Sequence, residues 1–412
     1  MLAWTRLYYM SGPTLGTRLS FQSNDQPWLP PNYRAEPIMG VHYFGDLQLP
    51  LAWAQLSDPW SDKLAIPANF MPTGKFILML AAHLPIKVVL LFYICTSLGL
   101  LFYSAKLVLS LDPNYKMHQQ GSLNYLTFLI LFILVRPLWF DLDRGNFYTI
   151  CISLLIIAIC KLKTNNNIIA IGSIFTAVSF KWFLIIPLFL LVDSNKLKKL
   201  GKMLALFTLI NLSLILILPG GLFQNLATIL KIQSQYTGTW SVPYLMNGTT
   251  LTSSISRIIE LIKGPEKVGI FLSSHLGLCK LVALVYLLIC IVIALKKSIP
   301  IYKRLYFALS TISFVSFEAQ GYTFIWISFA LAVWLLNKNQ EKDKLGNVVI
   351  VVTALCLLIP TWVSIPGTST SRLNEQLIFP PILSFIWGSK LVYEQLKELI
   401  HRKTLNDSSQ LY

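Results

Sequence analysis

Charged side chains are scarce in this sequence. Only 13% of its 412 residues are Asp, Glu, Lys or Arg, about half of the ~25% usual in soluble proteins. Acids are the scarcest, with 18 against 34 bases. A water-soluble chain with 55% hydrophobic residues and a mean hydropathy of +0.61 would expose apolar patches far above what soluble monomers tolerate. That excludes a soluble enzyme, a nucleic-acid-binding domain and a disordered tail. Nucleotide-binding loops are missing: there is no GxxxxGK[ST] and no GxGxxG. HExxH is missing too, and the five His are scattered. The six cysteines show neither CxxC nor zinc spacing, so they read as small buried hydrophobes. The N-terminal 75 residues contain no apolar h-region, and their acids and bases balance, which excludes a signal peptide or targeting segment there.

What is abundant is the long apolar run. Such runs recur at about 86–110, 123–140, 147–161, 167–180, 182–193, 203–219, 277–295, 305–317, 322–336, 347–365 and 376–394. Many of them suit a hydrocarbon core of ~30 Å. The pattern predicts an all-α polytopic membrane protein with about 10–11 transmembrane helices and an outer-face layer of loops and helix. The net charge of +16 collects in short loops, as cytoplasmic loops do, and does not point to nucleic acid. Lys196, Lys198, Lys199 and Lys202 make one basic connection. Lys296, Lys297, Lys303 and Arg304 make a second, Lys338, Lys342 and Lys344 a third, and the tail with Lys397, Arg402 and Lys403 a fourth. Putting all four inside, together with Lys161 and Lys163, requires the run 167–193 to cross and return, with a turn at Lys181. The expected organisation is an outer region 1–75, a first bundle 76–219, an outer loop 220–276 with an amphipathic helix, a second bundle 277–395 and a cytoplasmic tail 396–412. Carrying 1–75 outward calls for a helix ahead of it, so a further apolar segment upstream is expected.

The same count gathers most of the unusual polar residues on one outer face, where intramembrane or interfacial charges tend to mark function. They are His42 and Asp46, Asp141, Asp143, Arg144 and Asn146, Lys181, Asn247 and Arg257, and the stretch Glu318–Tyr322. A carboxylate beside the membrane suits a general base for a sugar hydroxyl. Lys181 and Arg144 suit a phosphate whose charge grows as a sugar leaves. Each residue also has a plainer role: Asp141–Asn146 as an inter-span turn, Lys181 snorkelling to head groups, and Thr249 or Thr250 as a helix cap rather than part of a glycosylation sequon at Asn247.

Taken in order, these motifs resemble glycosyltransferase family 87, polytopic GT-C-type enzymes that use polyprenyl-phosphate sugars such as mannosyl or arabinosyl donors. His42-Tyr43-Phe44-Gly45-Asp46-Leu47 looks like the family's first outer loop, and Pro67–Pro72 like its Tyr-Pro-Pro-type stretch. Arg144-Gly145-Asn146 is similar to its Gly-Gln-x-Asn, without the Gln. Ser179-Phe180-Lys181-Trp182 resembles its Lys-Pro segment, with Trp182 in the Pro position. Asn247-Gly248-Thr249 through Arg257 resembles Asn-x-Ser followed by Arg. Ser316–Tyr322 stands where the family has Ser-Pro…His-Tyr, with Gln320-Gly321 in place of the His.

The resemblance implies a GT-C-like fold and a hexosyl- or pentosyltransferase of the cytoplasmic membrane. Asp46 would be the catalytic base. Lys181, Arg144, Asn146, Asn247, Arg257, Tyr322 and His42 would bind substrate. The implied partners are a polyprenyl-phosphate-linked sugar donor, a glycan or lipid acceptor and the bilayer, with no nucleic acid. No cofactor is required. A divalent cation is an optional addition, with Asp141 and Asp143 as its weak candidate ligands. The alternatives are a polytopic transporter or lipid flippase, and an inactive GT-C-like scaffold.

Overall fold

The computed structural model describes Leu47, Leu51 and residues 70–111, 138–139, 141–142, 145–217, 221–231, 250–315, 321–337, 343–358, 362–364, 372–374 and 378–409. The described backbone is almost wholly helical. Three stretches are long and apolar enough to cross a membrane: Ile86–Leu111, Ser194–Ile217 and Gly277–Leu295. The protein is therefore a membrane protein built mainly of helices. The remaining apolar helices run 10–17 residues, shorter than a full span needs. The chain divides into two units, Met1–Ser241 and Val242–Tyr412.

The first unit contains α1 (Pro72–Ala81), α2 (Ile86–Val108, tightening into a 3-10 turn at Leu109–Leu111), α3 (Tyr148–Lys163), α4 (Asn167–Phe180), α5 (Ile185–Leu191), α6 (Leu197–Ile217) and α7 (221–231). Helix α3 is its hub. Every residue from Tyr148 to Cys160 is buried, because α2 and α4 pack along it. An all-round apolar helix of this kind belongs inside a bundle.

The turn from α3 to α4 is a Schellman motif followed directly by an N-cap. Asn166 N–H donates to Lys161 O (2.9 Å) and Asn165 N–H to Leu162 O (3.3 Å), while Asn165 sits at φ +61°, the left-handed position usually given to Gly or Asn. Asn166 then accepts Ile169 N–H to start α4. Asn165→Gly keeps the turn but gives up the Lys196 hydrogen bond, for a net cost of about 1 kcal/mol or less, whereas Asn165→Val gives up the same bond and should cost about 1–2 kcal/mol more. Thermal unfolding of the two purified variants checks the pair.

The apolar run 167–193 breaks where the loop charges required. Helix α4 stops at Phe180, and Lys181 takes φ −140°, ψ 80°. A 3-10 turn (Trp182–Leu184) then leads into α5. The path returns on itself, because Lys196 Nζ, beyond α5, donates to Asn165 Oδ1, before α4, at 2.5 Å. Both ends of the α4–α5 hairpin thus lie together at a basic end with Lys161 and Lys163, and Lys181 lies at its tip.

The second unit contains α8 (Leu251–Lys263), α9 (Pro265–Ser274), α10 (Leu276–Leu295), α11 (Ile301–Ser310, continuing as a π-helical turn Thr311–Val315), a 3-10 helix Gly321–Trp326, α12 (Ile327–Asn337), α13 (Lys344–Leu358) and α14 (Phe379–Ser409). Its core is aromatic, with hydroxyl partners for the polar edges, as buried Tyr and Trp require. The Tyr306 ring meets Trp326 at 5.4 Å and Trp387 at 5.2 Å. Trp326 Nε1 donates to Ser313 Oγ (2.7 Å), and the Tyr306 hydroxyl bonds the Ser384 hydroxyl. Asp343, just before α13, accepts from Lys303 Nζ and Trp387 Nε1, both at 2.8 Å. That carboxylate ties α11 and α14 to the start of α13.

The described residues include one short β pair in an otherwise helical fold: Trp362–Ser364 runs antiparallel to Arg372–Asn374, Val363 opposite Leu373, so the run expected to span 347–365 is extended rather than helical at 362–364. Helix α14 continues beyond 395 and remains helical to Ser409.

Candidate functional site

Polar side chains of the first unit gather in one layer. Helix α3 starts at Tyr148 behind a turn in which Gly145 N–H donates to Leu142 O (3.1 Å) and Asn146 N–H to Asp141 O (3.0 Å). Asp141, fully buried, turns its carboxylate onto the helix end: Oδ2 accepts Thr149 N–H at 2.8 Å. A carboxylate there neutralises an orphan donor and complements the helix dipole. From α2, the Tyr93 hydroxyl donates to the Asn146 carbonyl and contacts that of Asp141. The turn is thereby held from both sides, and Asp141 acts first as its cap.

Lys181 meets this turn from the hairpin tip. Its Nζ stands 4.4 Å from the centre of the Tyr148 ring, a cation–π distance. Beside it, Phe147 and Phe180 stack at 4.3 Å, and Phe70 packs edge-on against both at 5.9 and 5.6 Å. The N-terminus of α1 closes the layer. Met71 N–H donates to Ser179 O (3.1 Å), Thr73 and Ser179 share a hydroxyl hydrogen bond (2.5 Å), and Thr73 N–H donates to Asn211 Oδ1 (3.1 Å) from the middle of α6. Asn211 also donates to Phe207 O, so this asparagine, buried in an apolar helix, is satisfied at both ends of its amide.

Helix lengths fix the depth of the layer. Leu107 of α2 accepts from Cys160 of α3 near the basic end. From there to Tyr93, from Lys163 to Tyr148, from Asn167 to Lys181 and from Leu197 to Asn211 the paths are each about 14 residues, or ~21 Å at 1.5 Å per residue. Four helices agree on one depth. Helix α2 continues from Tyr93 to Ile86, about 10 Å further. The Asp141–Asn146 turn and Lys181 were expected on the outer face. They share one level, roughly two thirds of the way along α2 from the basic end.

Of the other sequence-predicted residues, Asp46, His42, Arg144, Asp143 and Asn247 lie outside the described residues. Next to Asp46, Leu47 is helical and buried, as is Leu51 four residues on. Arg257 and Tyr322 belong to the second unit. Tyr322 is in the 3-10 helix before α12. Arg257 is on α8 and paired with Glu260 one turn away, Nη1 to Oε2 at 2.6 Å, both side chains nearly buried. Helix α8 starts on a Thr250 cap, whose hydroxyl accepts Ser253 N–H at 3.1 Å. That establishes the capping role for Thr250. Thr252, Ser253, Ser254 and Ser256 are all buried in its first two turns, while Ile262 near its end is exposed. Ser254 and Ser256 satisfy their hydroxyls on the carbonyls one turn back.

Among the described residues no group of three or more His, Cys, Asp or Glu is placed to hold a metal ion. Tyr93, Tyr148, Thr73 and Asn211 were missed by sequence reasoning. Asn211 alone carried a signal, as an amide in the middle of an apolar run. Comparison with protein-family models, with curated proteins and with solved structures finds no match for this chain.

Proposed function

We propose that the protein is a multi-pass glycosyltransferase of the cytoplasmic membrane that moves a hexose or pentose from a polyprenyl-phosphate sugar to an acceptor on the outer side. The observation that carries this reading is the Lys181 ammonium at a helix break. It rests on Tyr148 beside the Asp141–Asn146 turn, in an aromatic-walled layer of an apolar bundle. A lipid-linked phosphate would bring its prenyl chain to such a layer. In the reaction the acceptor oxygen bonds the sugar C1 as the bond from C1 to the phosphate oxygen breaks. Asp46 takes the acceptor proton. The polyprenyl phosphate leaves with an added negative charge, which Lys181 stabilises most strongly in the transition state. Asn146 contributes amide contacts to sugar or phosphate. Arg144, Arg257, Asn247, Tyr322 and His42 complete the substrate-binding set that the family resemblance implies.

Lys181→Ala and Asp46→Asn are each expected to lower transfer from a polyprenyl-phosphate sugar by about a hundredfold or more, at unchanged expression. Lys181→Arg should retain part of the rate. Wild-type transfer in both loss variants would end this assignment.

One feature favours a second reading. A helix that breaks inside the bundle and returns, with a cation at the break, is also how transporters build binding sites. Reconstituted wild-type protein that moves a polyprenyl-phosphate sugar across vesicles without transferring the sugar would establish a flippase instead.

A further inference from the structure

The α4–α5 hairpin has a second consequence, at the end opposite Lys181. Closing it joins two connections that are far apart in sequence: the α3–α4 turn with Lys161, Lys163 and Asn165, and the α5–α6 connection with Lys196, Lys198 and Lys199. The Lys196–Asn165 hydrogen bond at 2.5 Å is the clasp between them. Across 161–202 the bases other than Lys181 all fall in these connections or the first turns of α6, and the one acid is Asp193. Closure therefore concentrates positive charge, which repels itself unless an anion answers it.

Apolar surface adjoins the same clasp. Ile168, in the first turn of α4, is 86% exposed, and Leu197, next to Lys196, is 38% exposed. Ammonium groups beside exposed apolar side chains match a phosphate head group with acyl chains attached. A free anion would use the lysines alone.

We propose that the Lys161–Lys163 and Lys196–Lys199 clasp is a binding site for an anionic phospholipid of the leaflet on the basic side. The phosphate sits among Lys163, Lys196 and Lys198, and the chains run along Ile168 and Leu197. Basic pockets between helices at the cytoplasmic interface recognise lipid head groups in this way. By neutralising the clasp, the lipid holds closed the hairpin whose tip carries Lys181. The proposal does not depend on the reaction assigned above.

The test is lipid retention by the full-length protein in native mass spectrometry, after exchange into micelles doped with phosphatidylglycerol or phosphatidylcholine. Wild type should keep phosphatidylglycerol in preference. Lys163→Ala and Lys196→Ala should each weaken retention roughly fivefold, while Lys397→Ala, an equal charge change in the second unit, should not. Should Lys196→Ala fail to fold, the exposed Lys163 still provides the comparison. Equal retention of the two lipids, equal loss in Lys397→Ala, or displacement of phosphatidylglycerol by millimolar inorganic phosphate would each overturn the proposal, the last by showing a free-anion site.

Discussion

Asp343→Asn is expected to destabilise the second unit by roughly 3–5 kcal/mol, the cost of removing one member of a buried ion pair. Asp343 and Lys303 side chains are 8% and 6% exposed and meet at 2.8 Å. Asp343 Oδ2 also accepts the Trp387 indole N–H, and Oδ1 accepts Gly346 N–H at 3.1 Å. An amide in its place keeps one acceptor oxygen and turns an NH2 toward donors. Lys303→Met should cost less, because Lys390 Nζ already lies 3.7 Å from Oδ1 and can serve the carboxylate alone. Unfolding in mixed micelles titrated with SDS would rank the two variants, and equal costs would refute the shared-acceptor account.

The same carboxylate sets an acid limit. Burial alone would push the Asp343 carboxyl up, but hydrogen bonds from Lys303, Gly346 and Trp387, with the Lys303 charge, outweigh it and hold the group below its usual range. A depressed folded value means that the unfolded chain binds the proton more readily. The contribution is therefore present above the unfolded value of ~3.9 and is lost as pH falls through the folded one. The gap between wild type and Asp343→Asn should be flat from about pH 5 to 8 and narrow below about pH 4. A gap that widened in acid would contradict the assignment.

Why some of this was legible in the sequence and some not comes down to the range of the interactions. The break at Lys181 was readable, because loop charges count crossings and a lysine inside an apolar run has a cost that only a turn or a partner offsets. Three spans, 86–110, 203–219 and 277–295, were readable from local hydropathy alone and correspond to α2, α6 and α10. The Thr250 cap was readable as a local motif. Asp141 was visible as an unusual residue but not in its role, since its carboxylate is used by Thr149 N–H and a cap reached from eight residues upstream has no set spacing. The Asn211–Thr73 bond joins residues 138 positions apart, beyond any periodicity.

Gly74→Val should separate α1 from the hairpin tip and cost about 1–3 kcal/mol or more, as overpacking does in a tight core. A β-carbon added at Gly74 would stand 2.6 Å from the Ser179 carbonyl oxygen and 3.1 Å from its carbon. Both are backbone atoms and cannot rotate aside. The carbonyl they would hit is the one accepting Met71 N–H, so relief by moving α1 breaks that bond and draws Thr73 away from Asn211 and Ser179. Asn211 would then keep its Phe207 contact and lose its acceptor role inside an apolar bundle, a further penalty for an amide away from water. Gly74→Ala presents the same contact with less bulk and should show a smaller loss of the same kind. If α1 only docks the hairpin, the variants lose stability and lipid-phosphate binding weakens in proportion. If the α1 N-terminus also positions Lys181, substrate binding should fall further than stability does. Ranking wild type, Gly74→Ala and Gly74→Val by unfolding and by donor binding separates the two. An unchanged Gly74→Val protein would mean that the close approach of α1 to Ser179 is not what holds the layer together.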